Sequence, residues 1–187
     1  MASSLLILGG ARSGKSRFAV AGLPARGRVT FIATAEPRDD DMAARIARHQ
    51  AERSPHWRTL EAPLELVPAL GEAARAADAV IVDCLTLWVA NLMARGDGDE
   101  AILKDADALA ALAGAPDADL RLVSNEAGLG VHPPTADGLR FRDLLGLVNQ
   151  RVAATCPRVV LMVAGLPHML KDTPSGTSLG ASAQQAP

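Results

Sequence analysis

Eight residues near the amino terminus carry the strongest chemical signal in the chain. They are Gly9, Gly10, Ala11, Arg12, Ser13, Gly14, Lys15 and Ser16, which match the pattern G-x-x-x-x-G-K-[ST] directly after the apolar run Leu5–Leu8. Glycines at this spacing let backbone N–H groups converge on phosphate oxygens, helped by the positive end of the following helix. Lys15 would reach the β and γ phosphates, and Ser16 would hold Mg²⁺. The segment is predicted to be a nucleotide-binding P-loop, the alternative being a chance Gly/Ser/Lys turn.

A P-loop also needs a carboxylate on the metal side, and Asp83 is the best candidate for it. It closes the apolar run Ala79–Asp83, where a buried strand is expected to end. A structural role, capping the helix predicted to start at Leu85, is the alternative, and the two roles are compatible. The N-K-x-D tetrapeptide with which regulatory GTPases read guanine does not occur in the sequence. A GTPase switch of that type is therefore disfavoured.

A histidine on a predicted helix is the candidate nucleophile. The stretch Asp40–Arg53 opens with acidic residues, which favour the amino terminus of a helix. At about 100° per residue, His49 falls on the same face as Met42 and Ile46, with Arg53 one turn later. A neighbouring cation disfavours protonation of an imidazole, and a neutral ring suits capture of a phosphoryl or nucleotidyl group on nitrogen. A histidine that only packs in the core is the alternative.

Alternating apolar runs and helix-like stretches must position these groups. The runs are Leu5–Leu8, Val29–Ala33, Ala79–Asp83, Leu120–Ser124 and Val159–Val163. The helical stretches are roughly Lys15–Ala21, Asp40–Arg53, Leu64–Ala76, Leu85–Arg95, Glu100–Ala113 and Ala136–Ala154. Continuous apolar runs indicate strands covered on both faces, and the alternation predicts an α/β fold with a mostly parallel sheet flanked by helices. We expect one domain over residues 1–171 and a loose tail over 172–187.

Composition excludes several other classes of protein. The chain has 187 residues, 49% of them hydrophobic, which is enough for the core of one domain. A formal net charge of -2 and 3% aromatic residues provide neither a basic face nor a stacking platform for nucleic acid. Two cysteines form no disulfide framework or metal cluster, and no apolar run is long enough for a signal peptide or a membrane span. We therefore expect a cytoplasmic protein.

Several sequence blocks follow one another in a fixed order. They are GGARSGKS at 9–16, IAT at 32–34, DDMAARI at 40–46 followed by His49 and Arg53, HWRTLE at 56–61, DCLTLWVANL at 83–92, VSNEAGLGVHP at 123–133, FRDLLGLVNQRV at 141–152 and AGLPHMLK at 164–171. This ordered set closely resembles the bifunctional adenosylcobinamide kinase / adenosylcobinamide-phosphate guanylyltransferase family of cobalamin biosynthesis. The resemblance covers about residues 4–171.

The resemblance implies a RecA-like P-loop fold, a homotrimer and two reactions. ATP or GTP would phosphorylate adenosylcobinamide, and GTP would then guanylylate a histidine that passes GMP to the cobinamide phosphate. The histidine maps to His49; some relatives carry two adjacent histidines here, whereas this chain has Arg48 and His49. The implied nucleotide contacts are the P-loop residues with Ala33, Thr34, Ala35, Gln50, Ala51, Glu52, Arg53, Glu61 and Asp83. Mg²⁺ would be the cofactor and a corrinoid the partner, with no nucleic acid and no membrane span.

Two alternatives stay open. One is a simple small-molecule P-loop kinase in which His49 is structural, and the other is a nucleotide-gated binding module. Asn125 and Glu126 end a predicted strand, where sheets of this kind place ligands. They could contact the corrinoid, act as the base of a kinase step, or cap the turn Gly128–Gly130. Trp57 is expected to pack rather than to take part in chemistry.

Overall fold

The structure is a computed structural model that describes residues 2–36, 47, 50 and 53–173. The strands in these ranges are β1 (Ser4–Gly9), β2 (Val29–Ala33), β3 (Arg58–Glu61), β4 (Ala79–Asp83), β5 (Asp119–Val123), β6 (Arg158–Val163) and β7 (Leu166–Asp172). The helices are α1 (Lys15–Val20), α2 (Leu66–Ala76), α3 (Leu85–Arg95), α4 (Asp99–Gly114) and α5 (Ala136–Thr155).

The strands form one sheet in the order β3-β2-β4-β5-β1-β6-β7. Every pairing is parallel except that of β6 with β7. Strand β5 is therefore inserted between β1, which leads into the P-loop, and β4, which ends at Asp83. This order gathers the carboxyl ends of β1, β5 and β4 at one edge of the sheet, and the predicted α/β fold with a mostly parallel sheet and flanking helices is confirmed.

Helices cover both faces of the sheet, which explains the continuous apolar runs. On one face, α2 to α5 pack against side chains such as Leu6 and Leu122, with Trp88 fully buried among them. On the other face, Ala19 of α1 packs among Phe31, Ile81 and their neighbours. Every residue of β1 and β2 is buried, so neither strand shows the alternation of a half-exposed strand.

The helix and strand predictions, which include a short strand that holds Trp57 and Glu61 and corresponds to β3, are confirmed to within two residues at most ends, and one element was missed. Helix α2 begins at Leu66 rather than Leu64, and β5 begins and ends one residue earlier than predicted. The missed strand is β7, which pairs antiparallel with β6 as a hairpin. Ala164 and Gly165 form its turn with φ values of 52° and 82°, the positive values typical of two-residue hairpin turns.

The predicted helix Asp40–Arg53 lies mostly outside the described residues, as does His49. Ala47 and Gln50 are helical, and Arg53 follows in a bend. The tail over 174–187 also lies outside the described residues. Within the described ranges, no helix is both long and apolar enough to cross a bilayer.

Candidate active site

The P-loop begins where β1 ends, and its backbone is fixed by close packing at Gly9. The φ of Gly9 is +149°, and a Cβ there would lie 2.5 Å from the carbonyl oxygen of Met162 and 2.7 Å from Oγ of Ser13. Met162 is the residue of β6 that pairs with Gly9. Only glycine therefore fits at the point where the chain leaves the sheet.

The remainder of the loop turns tightly and is held by the β6–β7 hairpin. Arg12 has φ 56° and Gly14 has φ 96°, so the chain passes through left-handed conformations that point successive N–H groups toward one side. A Cβ on Gly14 would lie 3.3 Å from Cα of Gly165, and the N–H of Gly165 donates to the Ser13 carbonyl at 3.0 Å. The turn of the β6–β7 hairpin thus packs against the P-loop at Ser13 and Gly14.

Two side chains of the P-loop hold atoms that suit an anion. Lys15 is 7% exposed, and its Nζ donates to the carbonyl oxygen of Gly10 at 2.6 Å, which keeps the ammonium folded over the loop. Ser13 is also buried, and its Oγ has no hydrogen-bond partner within the described part of the chain. Ser16 follows Lys15 at the start of α1 and is partly exposed. A phosphate in the loop would accept hydrogen bonds from both the ammonium and the backbone N–H groups.

Asp83 and Thr34 are joined at the ends of β4 and β2. Ala33 pairs with Asp83, and Thr34 N–H donates to the Asp83 carbonyl at 3.3 Å. The Thr34 hydroxyl donates to the Cys84 carbonyl at 2.7 Å and accepts from the Cys84 N–H at 2.8 Å. The Thr34 carbonyl accepts from Nδ2 of Asn91 at 2.8 Å. Thr34 is fully buried, and each of its polar atoms is hydrogen-bonded within the protein. This geometry favours a role for Thr34 in positioning the backbone that continues to Ala35.

Arg53 lies beside Asp83 on the same face of the sheet. Its guanidinium carbon is 3.4 Å from the centroid of the Phe31 ring, a cation–π contact. Phe31 pairs with Ile81, and Ala33 pairs with Asp83 two positions further along both strands. The Phe31 ring and the Asp83 carboxylate therefore lie on the same face of the sheet. Burial lowers the pKa of Arg53, and the charge of Asp83 acts in the opposite direction. Nε and Nη1 of Arg53 are buried and have no hydrogen-bond partner among the residues that the structure describes, so this cation retains donors for an anionic ligand.

The outer part of the predicted site is less enclosed. Gln50 is exposed, and its carbonyl accepts from the Arg53 N–H at 3.2 Å. Glu61 is exposed at the end of β3, opposite Ala33 in the sheet. The structure therefore brings the P-loop, Asp83 and Arg53 to one edge and puts Glu61 at its periphery, while His49, Ala51 and Glu52 lie outside the described residues.

Ser16 and Asp83 form a donor set that fits Mg²⁺. A hydroxyl and a carboxylate are hard oxygen ligands, and Mg²⁺ usually takes one or two of these with waters and substrate phosphates rather than a cage of protein groups. Among residues 2–36, 47, 50 and 53–173, no group of three or more His, Cys, Asp or Glu side chains is arranged so that it could hold a metal ion.

Other side chains that the sequence pointed to have packing or surface positions. Trp57 packs against the Phe31 side of the core, and its Nε1 donates to the Pro24 carbonyl at 3.0 Å, which confirms the packing prediction. His132 and His168 are exposed. The sequence reasoning missed Asn91, which ties Thr34 to Pro63 from within α3. An asparagine on the apolar face of an otherwise buried helix was the signal that could have found it.

A comparison with known proteins adds to this geometry. The family model described as "Cobinamide kinase / cobinamide phosphate guanyltransferase" matches residues 5–170. The chain belongs to this family. The family's description confirms the expectation of an enzyme with a kinase and a guanylyltransferase activity, and it confirms the resemblance seen in the ordered blocks.

Named relatives cover almost the whole chain. The bifunctional adenosylcobalamin biosynthesis protein CobP of Pseudomonas aeruginosa is 46% identical over 170 residues, which are 90% of this chain and 98% of that protein. The bifunctional adenosylcobalamin biosynthesis protein CobU of Escherichia coli is 36% identical over 179 residues, covering 89% of this chain and 99% of that protein. Among solved structures, an ATPase of a bacterial type III secretion system matches 89% of this chain and 56% of its own, with 13% identity and a TM-score of 0.49.

Proposed function

We propose that this chain catalyses both reactions of the family through one nucleotide site, with His49 as the residue that carries GMP. In the first reaction a nucleoside triphosphate phosphorylates the hydroxyl of adenosylcobinamide. In the second, GTP gives GMP to the cobinamide phosphate, with release of pyrophosphate and formation of adenosyl-GDP-cobinamide. The observation that carries the proposal is the P-loop at one sheet edge with Asp83 and with Arg53, whose Nε and Nη1 have no partner among the described residues.

The kinase reaction uses the P-loop itself. Its N–H groups bind the phosphates, and Lys15 Nζ exchanges its bond to the Gly10 carbonyl for phosphate oxygens. The acceptor oxygen forms a bond to the γ phosphorus, and the bond from that phosphorus to the β–γ bridging oxygen breaks. Mg²⁺ held by Ser16 and Asp83 would neutralise charge on the phosphate oxygens. The protein's own contribution is the orientation of the chain of phosphates against this edge of the sheet.

The guanylyl transfer splits one displacement at the α phosphorus into two. A ring nitrogen of His49 attacks the α phosphorus, and the bond from this phosphorus to the α–β bridging oxygen breaks, so pyrophosphate leaves. An oxygen of the cobinamide phosphate then attacks the same phosphorus and displaces the histidine nitrogen. Arg53 supports this step because its Nε and Nη1, which have no hydrogen-bond partner among the described residues, can donate to phosphate oxygens, and its charge stabilises the negative charge that develops on the transferring phosphate.

Labelled GTP tests the proposal. The purified protein is incubated with Mg²⁺ and GTP labelled at the α phosphate, and is then denatured. The expected result is a protein-bound label that is stable to alkali and labile to acid, as for a phosphorus–nitrogen bond. The absence of label would refute the role of His49 and favour a simple kinase, and the absence of both label and phosphorylated cobinamide would favour a binding module.

Matched variants distinguish the residues. His49→Ala is expected to abolish labelling while GTP binding remains, and His168→Ala, an exposed histidine on β7, is the control and is expected to label as wild type. Lys15→Ala is expected to impair both reactions, whereas Lys104→Ala changes an exposed lysine of α4 and should change neither. Equal labelling of His49→Ala and wild type would contradict the proposal.

The same proposal includes the organisation of the chain. Residues 1–171 would form the catalytic domain with 172–187 as a tail; the resemblance implies a homotrimer, and the composition favours a location in the cytoplasm. Light scattering of the full chain and of a variant ending after Asp172 tests this part. A trimer with full labelling in both is expected, and loss of labelling in the shortened chain would assign the tail to the catalytic unit.

A further inference from the structure

The carboxylates that follow the carboxyl ends of the described strands lie at different distances from the P-loop. Strands in a sheet are about 4.8 Å apart. Glu61 of β3 is four strand positions from β1, or about 19 Å, and Glu36 after β2 is three positions away, or about 14 Å. Asp83 of β4 is two positions away, or about 10 Å. Glu126, which follows β5, is the neighbour of the P-loop strand.

A direct backbone bond places Glu126 against the start of the P-loop. Its N–H donates to the carbonyl oxygen of Gly9 at 3.1 Å, so the chain after β5 stays in register with the loop. Glu126 is partly exposed, and its Oε1 accepts from the Gly128 N–H at 3.2 Å. That bond caps the glycine turn, one of the roles left open from the sequence, and it also restrains the carboxylate. An ionised carboxylate has about four acceptor positions, so one such bond leaves others for a hydroxyl proton.

A buried polar network fixes the segment that carries Glu126. Ser124 is fully buried, and its hydroxyl donates to Oδ1 of Asn149 at 2.6 Å. Nδ2 of Asn149 donates to the Asn125 carbonyl at 3.0 Å, and the Asn125 N–H donates to Oγ1 of Thr86 at 2.8 Å. The backbone from 124 to 126 is therefore bonded to α5, to α3 and to the P-loop. A network of this kind orients a catalytic side chain by rigid support rather than by a mobile loop.

We infer that Glu126 is the general base of the kinase reaction, an inference that rests on the proposed function. Its carboxylate accepts the proton of the acceptor hydroxyl as that oxygen bonds to the γ phosphorus and the nucleoside diphosphate leaves with the electrons of the broken phosphorus–oxygen bond. The guanylylation of His49 involves no hydroxyl acceptor, so that half-reaction does not use Glu126. Loss of this base should therefore impair the kinase reaction and leave the guanylylation of the histidine intact.

Glu126→Gln tests the inference because it preserves shape and removes the base. Phosphorylation of adenosylcobinamide is expected to fall in kcat by at least roughly 100-fold, since a positioned base contributes about 10²- to 10⁴-fold. Labelling of the protein by α-labelled GTP is expected to stay within about twofold of wild type, because no base of this kind acts there. Glu72→Gln, an exposed glutamate of α2, is the control and should change neither rate.

The pH profile gives a second readout that a structural role would not change. In wild type, kcat/KM of the kinase reaction should rise along an acid limb of the pH profile, and this limb should be absent in Glu126→Gln. Full kinase activity in Glu126→Gln would overturn the inference, and so would an equal loss of kinase and labelling activities, which would assign Glu126 to the P-loop structure. If wild type itself performs neither reaction, it is the proposed function that fails.

Discussion

Gly9→Ala is a direct test of the P-loop backbone. The new Cβ would lie 2.5 Å from the Met162 carbonyl oxygen and 2.7 Å from Ser13 Oγ, at a φ of +149°. The first of these atoms belongs to the backbone of β6, which is paired on both sides, so it cannot move away cheaply. Overpacking of this kind costs about 1–3 kcal/mol, and a non-glycine residue in a backbone region reserved for glycine costs about 1–3 kcal/mol more. We therefore expect the free energy of unfolding to fall by roughly 2–6 kcal/mol.

Gly10→Ala is the matched control because the two glycines are adjacent in the same loop. A Cβ on Gly10 meets no atom within 4 Å, and its φ is not in the positive range. Substitution there should change the free energy of unfolding by no more than about 0.5 kcal/mol.

Urea unfolding of both nucleotide-free variants, followed by circular dichroism, measures the difference, and calorimetric titration with GTP measures the loss of affinity. In a domain of this length each 1 kcal/mol shifts Tm by about 2–4 °C, so thermal unfolding gives an independent check. If Gly9→Ala and Gly10→Ala were equally stable, the close approach of β1 to β6 at Met162 would be wrong.

Three further predictions concern the surroundings of the loop. Asn91→Ala should lower the free energy of unfolding by about 2 kcal/mol, because it removes a buried donor from two carbonyl groups; urea unfolding measures this, and a change below about 0.5 kcal/mol would contradict it. Arg53→Ala should reduce GTP affinity and labelling, and Arg53→Lys should restore only part of both, because lysine keeps the charge but lacks the directed N–H donors of a guanidinium; full recovery with lysine would show that the charge alone is required. Burial and the nearby Asp83 charge raise the pKa of Cys84 to about 11, so its thiol should resist thiol reagents at pH 8. The free energy of unfolding should fall as pH rises from about 9 to about 11, because only the thiol of the unfolded chain ionises in that range. Rapid labelling of Cys84 at pH 8 in the folded protein would be inconsistent with that pKa.

Whether the sequence predicts an element depends on whether the interactions that fix it are local or join distant parts of the chain. Strands β2 and β4 have the predicted ends because they are covered on both faces and their apolar runs stop at polar residues. Strand β7 could not be predicted, since exposed apolar residues such as Leu166 and Met169 lie on alternating positions, and so on both of its faces, and only the turn at Ala164 and Gly165 fixes its pairing. Local patterns do not encode a partner across the sheet.

In the candidate site, too, local features could be predicted and contacts between distant residues could not. The P-loop was predictable because its residues are contiguous and each has a defined task. The contact of Gly9 with Met162 was not, since it joins positions far apart in the chain. The inward position of Arg53 followed from helical periodicity, but its stacking on Phe31 depends on how β2 packs. Thr34 was predicted as a nucleotide contact, and only the structure shows that its polar atoms are used within the protein.

Transfer from the isolated intermediate tests the guanylyl-histidine most directly. The wild-type protein is labelled with α-labelled GTP, freed of nucleotide and mixed with adenosylcobinamide phosphate in a single turnover. We expect the label to leave the protein and to appear in adenosyl-GDP-cobinamide at a rate no slower than steady-state turnover, and we expect His49→Ala to give no labelled product. Label that stays on the protein, or product formed by His49→Ala at the wild-type rate, would contradict transfer through His49.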